Sequence, residues 1–170
     1  MGNWDKAIAF VLVREGGFQA NQSDPGNYVN DVLVGTNFGI CARDHPNEDI
    51  RNMTVDRAKE IYRSEYWTPI GGDALPDGVS LALMDSAVNQ GVLRSIKWMQ
   101  VALDVHLIDG IVGPRTVAAA NNPPKDWLIR FLTLRGVGYV HDVIGNPVMR
   151  SWVANWMQRL FEVQAAVIGG

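Results

Sequence analysis

Apolar residues recur at helical spacing along most of the chain, and this pattern predicts a fold built mainly from α-helices. Asn3 is a candidate N-cap of a helix that runs to about Arg14 or Glu15, and Thr54 is a candidate N-cap of a helix through about Trp67. Further helices are expected over residues 78–90 and 93–105, after Pro114, after Pro123-Pro124 and after Pro147. The helix over residues 78–90 is apolar nearly all round, so we expect it to be buried.

Residues 18–53 interrupt the helical pattern with Gly, Pro, Asn and Asp at turn positions. Short β-like pieces lie at residues 32–34 and 38–41 within this stretch. A connection of this length is unusual in a compact domain and often carries function. The pattern therefore predicts a helical fold with a small β element near residues 28–41.

Glu15 lies where a charged side chain is least expected. On a helical wheel Trp4, Ile8, Val11 and Leu12 form one apolar stripe, and Glu15 falls in its middle. It also lies at the C-terminal end of the first predicted helix, where the helix dipole disfavours a carboxylate. Both features favour the protonated side chain that a general acid needs. A frayed helix end with a solvated Glu15 is the alternative on this pattern alone.

Composition narrows the possible partners. Apolar residues make up 47% of the chain and charged residues 19%, with a net charge of -3, which is typical of a globular protein. No run of Lys and Arg is present to neutralise phosphates, so we expect no nucleic-acid partner. The three His residues are scattered, and no ligand cluster predicts a metal site or a cofactor. The single cysteine, Cys41, excludes an internal disulfide and is expected to be a buried apolar residue.

The beginning of the chain predicts no export signal. It lacks a basic segment, and the apolar residues 7–13 are followed at once by Arg14 and Glu15. No membrane-spanning segment is expected either. If the substrate lies outside the cytoplasm, the protein must reach it by another route.

Three short motifs occur in order along the first quarter of the chain. Residues 15–18 read Glu-Gly-Gly-Phe, residues 24–27 read Asp-Pro-Gly-Asn, and residues 35–40 read Gly-Thr-Asn-Phe-Gly-Ile. Together they resemble glycoside hydrolase family 108, a group of bacterial and phage N-acetylmuramidases of the lysozyme superfamily. The resemblance continues through residues 61–67 and 77–91, whereas the connection at residues 28–34 is longer than in many members.

The resemblance implies a lysozyme-like fold and hydrolysis of the β-1,4 bond between N-acetylmuramic acid and N-acetylglucosamine in bacterial peptidoglycan. It matches Glu15 to the catalytic acid, and Asp24 and Thr36 to positions that activate or place the water. Asp24 also fits a plain turn, Thr36 also fits an ordinary strand position, and the longer connection makes Asp31 a competitor of Asp24. A phage endolysin, made in the host cytoplasm and acting on the cell wall after release, fits the same pattern.

Candidate substrate contacts follow from residue type. The aromatic faces of Tyr62, Tyr66 and Trp67 suit stacking on sugar rings, although aromatics at helical spacing usually form core. Asp85 and Asn89 lie one turn apart on the buried helix. They either line a saccharide cleft or satisfy polar groups between helices.

The C-terminal half contains a fourth motif. Residues 108–116 resemble the Asp-Gly-x-x-Gly-Pro-x-Thr signature of peptidoglycan-binding helical modules, while a tight turn before a proline-initiated helix explains them equally well. We expect a muramidase region over residues 1–91 and a helical region over residues 92–170 that docks on it without a flexible linker. A monomer is the expected state.

Two other functions compete with the hydrolase. A lytic transglycosylase also uses one Glu, but it forms an anhydro-sugar and adds no water. A non-catalytic protein that binds peptidoglycan or takes part in secretion would keep its function after Glu15→Gln.

Overall fold

A computed structural model describes residues 2–169 and shows a mainly α-helical, lysozyme-like fold with a small β element, as the sequence predicts. The helices in this part of the chain are α1 Asn3–Glu15, α2 Val55–Tyr62, α3 Asp77–Gln90, α4 Val92–Ala102, α5 Pro114–Asn121, α6 Trp127–Gly145 and α7 Val153–Gly169. The strands are β1 Tyr28–Val29, β2 Val32–Leu33, β3 Thr36–Asn37 and β4 Ile40–Cys41.

Several helix ends differ from the predicted ones. Asn3 is the first residue of α1 and not its cap, because its side-chain amide donates to the carbonyl of Leu75 at 2.8 Å. Thr54 does cap α2, accepting a hydrogen bond from the backbone of Arg57 at 3.2 Å. Short non-α turns occupy Pro25–Asn27, Arg63–Trp67, Gly72–Ala74 and Pro147–Trp152. Because the last of these turns extends from Pro147 to Trp152, α7 begins at Val153 and not directly after Pro147.

The chain divides into two compact units. The larger contains Met1–Ala7 and Tyr66–Gly170, and the smaller contains Ile8–Glu65. The predicted boundary at residue 91 falls inside the larger unit, so the functional division at that residue stays a prediction. No helix within residues 2–169 has both the length and the apolar character needed to cross a membrane.

Two antiparallel hairpins form the β element of the smaller unit. Tyr28 pairs with Leu33 in the first hairpin, and Thr36 pairs with Cys41 in the second. Asn30 and Asp31 join β1 to β2, both with positive φ, which is the conformation of a tight two-residue hairpin turn. Gln19 adds an isolated bridge to Thr36, which ties the segment after α1 to the second hairpin.

Helix α3 forms the centre of the larger unit and packs against α4 and α7. One buried side chain of α3 is charged, since the carboxylate of Asp85 is fully enclosed. It pairs with Arg135 at 2.9 Å and with Arg159 at 2.8 Å, from α6 and α7. Three helices are therefore connected through one buried carboxylate.

We predict that Asp85→Ala destabilises the fold by about 3–5 kcal/mol, because it leaves two arginines without their shared partner in the interior. Asp77→Ala is the matched control, since Asp77 lies on the same helix in an exposed ion pair with Lys6 and should change stability by less than about 1 kcal/mol. Urea unfolding of both variants measures the difference. Equal losses in the two variants would contradict this assignment.

Candidate active site

Glu15 is the last residue of α1 and is partly buried. Gly16 follows with a φ of +71°, the left-handed conformation that commonly ends a helix. The Glu15 carboxylate lies against the backbone of Gly39, in the turn between β3 and β4. A Cβ atom at Gly39 would lie 2.8 Å from Glu15 Oε2 and 2.7 Å from the Tyr62 hydroxyl. Only glycine permits this approach, because Gly39 also has a φ of +77°.

Tyr62 supports the turn beside Glu15 and is not a stacking platform. Its hydroxyl donates to the carbonyl of Phe38 at 2.8 Å, while the residue is only 2% exposed. A buried ring offers no face to a sugar, which corrects the expectation that Tyr62 stacks on substrate. Its role in the site is to hold the β3–β4 turn next to the Glu15 carboxylate.

Thr36 lies at the start of β3, with its hydroxyl bonded to a buried amide. Thr36 Oγ1 donates to Asn27 Oδ1 at 2.7 Å, and Asn27 is fully buried. The hydroxyl proton is committed to Asn27, so the Thr36 oxygen can offer only its lone pairs to a further group. An arrangement of this kind accepts a hydrogen bond from a water molecule and fixes its orientation.

The Asn27 side chain uses its full hydrogen-bonding capacity. Its Oδ1 also accepts from Gln19 Nε2 at 3.2 Å, and its Nδ2 donates to Gln19 Oε1 at 3.0 Å and to the carbonyl of Asn21 at 2.9 Å. Its backbone carbonyl accepts from the amides of Val34 and Gly35 at 2.8 and 3.0 Å. Sequence reasoning missed Asn27, since one Asn after Asp-Pro-Gly looks like any turn residue.

Glu15 and Thr36 lie along one stretch of backbone. The amide and carbonyl of Gln19 each bond to Thr36 at 2.8 Å, while Glu15 approaches Gly39 in the turn that follows β3. Residues 15–19 therefore run beside β3 and its turn. Thr36 and Gly39 are three residues apart, so their backbones are separated by at most about 10 Å at 3.3 Å per residue.

Asp24 takes the structural role that its motif allows. Its carboxylate caps the turn Pro25–Asn27 and accepts from the amide of Gly26 at 2.9 Å. Its carbonyl accepts from the amide of Asn27 at 3.1 Å, so the turn positions the amide that holds Thr36. Asp31 is exposed at the tip of the first hairpin with a φ of +64°. The cap fits the turn alternative for Asp24, and a catalytic role for Asp24 or Asp31 stays a prediction.

The other predicted substrate contacts belong to the larger unit, and two of them are corrected. Trp67 is fully buried, with its indole N–H donating to Asp73 at 2.9 Å, so it has no face for a sugar. Asp85 is enclosed by its arginines, which is the alternative of polar satisfaction between helices. Asn89 accepts from the Tyr139 hydroxyl, and Tyr66 is half-buried. Contact of Asn89 or Tyr66 with substrate stays a prediction.

Cys41 does not have the environment of a nucleophile. Burial and a hydrogen bond with Asp44 raise the pKa of its thiol, which keeps the sulfur protonated at neutral pH. Within residues 2–169, no group of three or more His, Cys, Asp or Glu side chains is arranged to hold a metal ion.

The segment at residues 108–116 forms a self-contained polar turn. Asp109 accepts from Gln100 Nε2 and from the amide of Ile111, both at 2.8 Å, and these bonds lower the pKa of its carboxyl. Gln100 Oε1 accepts from the amide of Gly110 at 2.9 Å. An open cavity of about 330 Å³ lies beside Thr116. These bonds fit the turn alternative, and binding of peptidoglycan by this segment stays a prediction.

The chain is similar to a family model and to a solved structure. Residues 8–91 match the family model described as glycosyl hydrolase 108. The chain is similar to the structure of Brucella abortus SagA, with a TM-score of 0.77 and 26% sequence identity over 98% of this chain and 94% of that one. The comparison with curated proteins gave no match. Residues 8–91, which include Glu15, Asn27 and Thr36, are therefore the part of the chain that is similar to glycosyl hydrolase 108.

Proposed function

We propose that this protein is an N-acetylmuramidase that hydrolyses the β-1,4 bond between N-acetylmuramic acid and N-acetylglucosamine in peptidoglycan, with Glu15 as the general acid. The observation that carries the proposal is the close approach of the Glu15 carboxylate to Gly39, inside the segment that matches glycosyl hydrolase 108. A carboxyl group held against a backbone turn has few alternative positions, and a catalytic group needs such fixed placement.

In the proposed reaction, Glu15 donates its proton to the glycosidic oxygen as the bond to the anomeric carbon breaks. Positive charge then develops on the sugar ring, and a water molecule adds to the anomeric carbon. The added water gives up one proton to solvent, and Glu15 regains a proton before the next cycle. The net reaction cleaves one glycosidic bond and consumes one water molecule.

Thr36 would orient that water. Because its own proton is held by Asn27, the Thr36 oxygen accepts a hydrogen bond from the water and leaves a water lone pair directed at the sugar. The resemblance of the motifs to phage-type lysozymes favours inversion of configuration, in which the water attacks the face of the sugar ring opposite the acid.

A lytic transglycosylase is the second candidate. It needs only one acid, which Glu15 would supply while Oδ1 of Asp24 caps its turn. Such an enzyme would release an anhydro-sugar, whose mass is lower than the hydrolysis product by one water. The water-accepting geometry of Thr36 favours hydrolysis.

The setting of the activity is also a proposal. The resemblance of the motifs to phage enzymes supports an endolysin that is made in the cytoplasm and reaches the cell wall after release. Binding of peptidoglycan by residues 92–170 rests on the motif at residues 108–116 alone.

We predict that Glu15→Gln lowers the rate of peptidoglycan lysis by about 10²–10⁴-fold, because Gln has the same shape but no acidic proton. Circular dichroism should show an unchanged melting curve. Glu60→Gln is the matched control, since Glu60 is an exposed carboxylate of the same unit, and it should retain wild-type lysis. Lysis by Glu15→Gln above about a tenth of the wild-type rate would rule out the assignment.

We predict that Thr36→Val reduces kcat about 10–100-fold with little change in KM, because the methyl group cannot accept a hydrogen bond from water. Thr36→Ser keeps the hydroxyl and should restore most of the activity. Steady-state kinetics on soluble muropeptides measures both variants. Full activity of Thr36→Val would show that the water is positioned by another group.

We predict that Gly39→Ala abolishes lysis, because its Cβ would overlap Glu15 and Tyr62 and its φ is positive. Backbone strain should also cost about 1–2 kcal/mol of stability. Gly17→Ala is the control, since a Cβ at Gly17 meets nothing within 4 Å. If the two variants show equal activity, the close approach has no part in catalysis.

A further inference from the structure

Helices α6 and α7 form a hairpin that leaves an apolar groove open to solvent. The two helices are antiparallel, since Ile129 near the start of α6 lines a cavity with Gln164, and Ile144 near its end lines another with Val153. The two cavities have volumes of about 250 and 150 Å³, and Met157 borders both. We call this continuous feature the α6–α7 groove.

The groove runs most of the length of the hairpin. Residues 129–144 of α6 span about 22 Å at 1.5 Å per residue. Within this span Ile129, Gly136, Val140 and Ile144 recur at helical spacing on the groove side. None of the residues that line either cavity is charged.

The same face also carries protruding apolar side chains. Ile129, Val140, Ile144 and Phe161 all line the groove and are 55% to 73% exposed. Protrusions and cavities therefore alternate on one surface. This is the property that an interface between two identical faces requires, because each copy must supply both the knobs and the holes.

We propose that the α6–α7 groove is the interface of a homodimer, in which the hairpins of two copies pack face to face as a four-helix arrangement about a two-fold axis. The occupant of the groove is thus a second copy of this chain. The sequence alone predicted a monomer, because helical spacing does not show which apolar positions remain uncovered.

The exposed area fits this occupant. Eight large apolar side chains of the hairpin and its connecting turn are exposed: Ile129, Val137, Val140, Ile144, Val148, Trp152, Phe161 and Ile168. At roughly 100 Å² each, the four that line the groove present about 400 Å², and the other four, on the same helices and their connecting turn, would bring the buried area to about 800 Å², the contribution of one partner to a standard-size interface.

Charge argues against an anionic membrane as the occupant. Helices that lie on such membranes present Lys and Arg to the lipid phosphates. In α6 and α7, Arg130 pairs with Asp104, and both Arg135 and Arg159 pair with Asp85. The arginines of the two helices are thus engaged within the protein, which leaves the exposed Arg150 of the connecting turn, and the chain has a net charge of -3.

Size-exclusion chromatography with multi-angle light scattering tests the proposal from about 1 to about 100 μM protein. We expect the wild-type protein to reach the mass of a dimer within this range. Phe161→Glu and Val140→Glu should remain monomeric, because each would bury a charge at the interface. Val13→Glu is the matched control, since Val13 is 82% exposed on α1, and it should dimerise like the wild type.

A wild-type protein that stays monomeric up to about 100 μM would overturn the proposal, as would equal dimerisation of the Phe161→Glu variant. Circular dichroism melts establish that the variants fold, and Ile144→Glu replaces any that does not. Sedimentation with vesicles of phosphatidylglycerol and phosphatidylethanolamine forms the second arm. Binding of a monomeric wild type that Phe161→Glu abolishes would assign the face to a membrane and refute the dimer.

Discussion

The buried amide of Asn27 determines the arrangement of the smaller unit. Its side chain and carbonyl connect the segment after α1, the end of the first hairpin and the first strand of the second. Because Asn27 is fully enclosed, each of these bonds must be made, or a polar group would be left unsatisfied in the interior. The turn capped by Asp24 positions the Asn27 side chain. The hydrogen bond from Thr36 to Asn27 then orients the Thr36 hydroxyl.

The β3–β4 hairpin connects the two halves of the proposed chemistry. One end is fixed by Asn27 through Thr36, and the other end is fixed by Tyr62 next to Glu15. Because Thr36 and Gly39 lie three residues apart in one short hairpin, the water-binding group and the backbone that contacts the acid are held in a fixed relation. A site built in this way is pre-organised before substrate arrives.

Helical periodicity was sufficient to predict the fold class, the position of Glu15 at the end of α1 and the burial of α3. Periodicity identifies an inward face, but it does not identify what lies opposite. Asp85 could therefore be read as a cleft residue until the structure placed Arg135 and Arg159 beside it. The sequence left the same ambiguity at Trp67, because an aromatic residue at helical spacing can either lie in the core or stack on a sugar.

The residues that matter most at the site were the least visible in the sequence. Asn27 and Gly39 lie in a turn-rich stretch where Asn and Gly are ordinary, so local preference alone explains them. Their roles arise from contacts between segments that are distant in the chain, such as the approach of Tyr62 to Gly39. The exposed face of α6 and α7 was similarly hidden, because amphipathic spacing looks the same on covered and uncovered helices.

The central claim is that the site adds water to the broken bond, and digestion of peptidoglycan in heavy-oxygen water tests it most directly. If Thr36 holds a nucleophilic water and Glu15 supplies the proton, mass spectrometry will find one heavy oxygen at each new reducing N-acetylmuramic acid end. Products that lack the label and carry an anhydro-sugar end would contradict the account and identify a lytic transglycosylase.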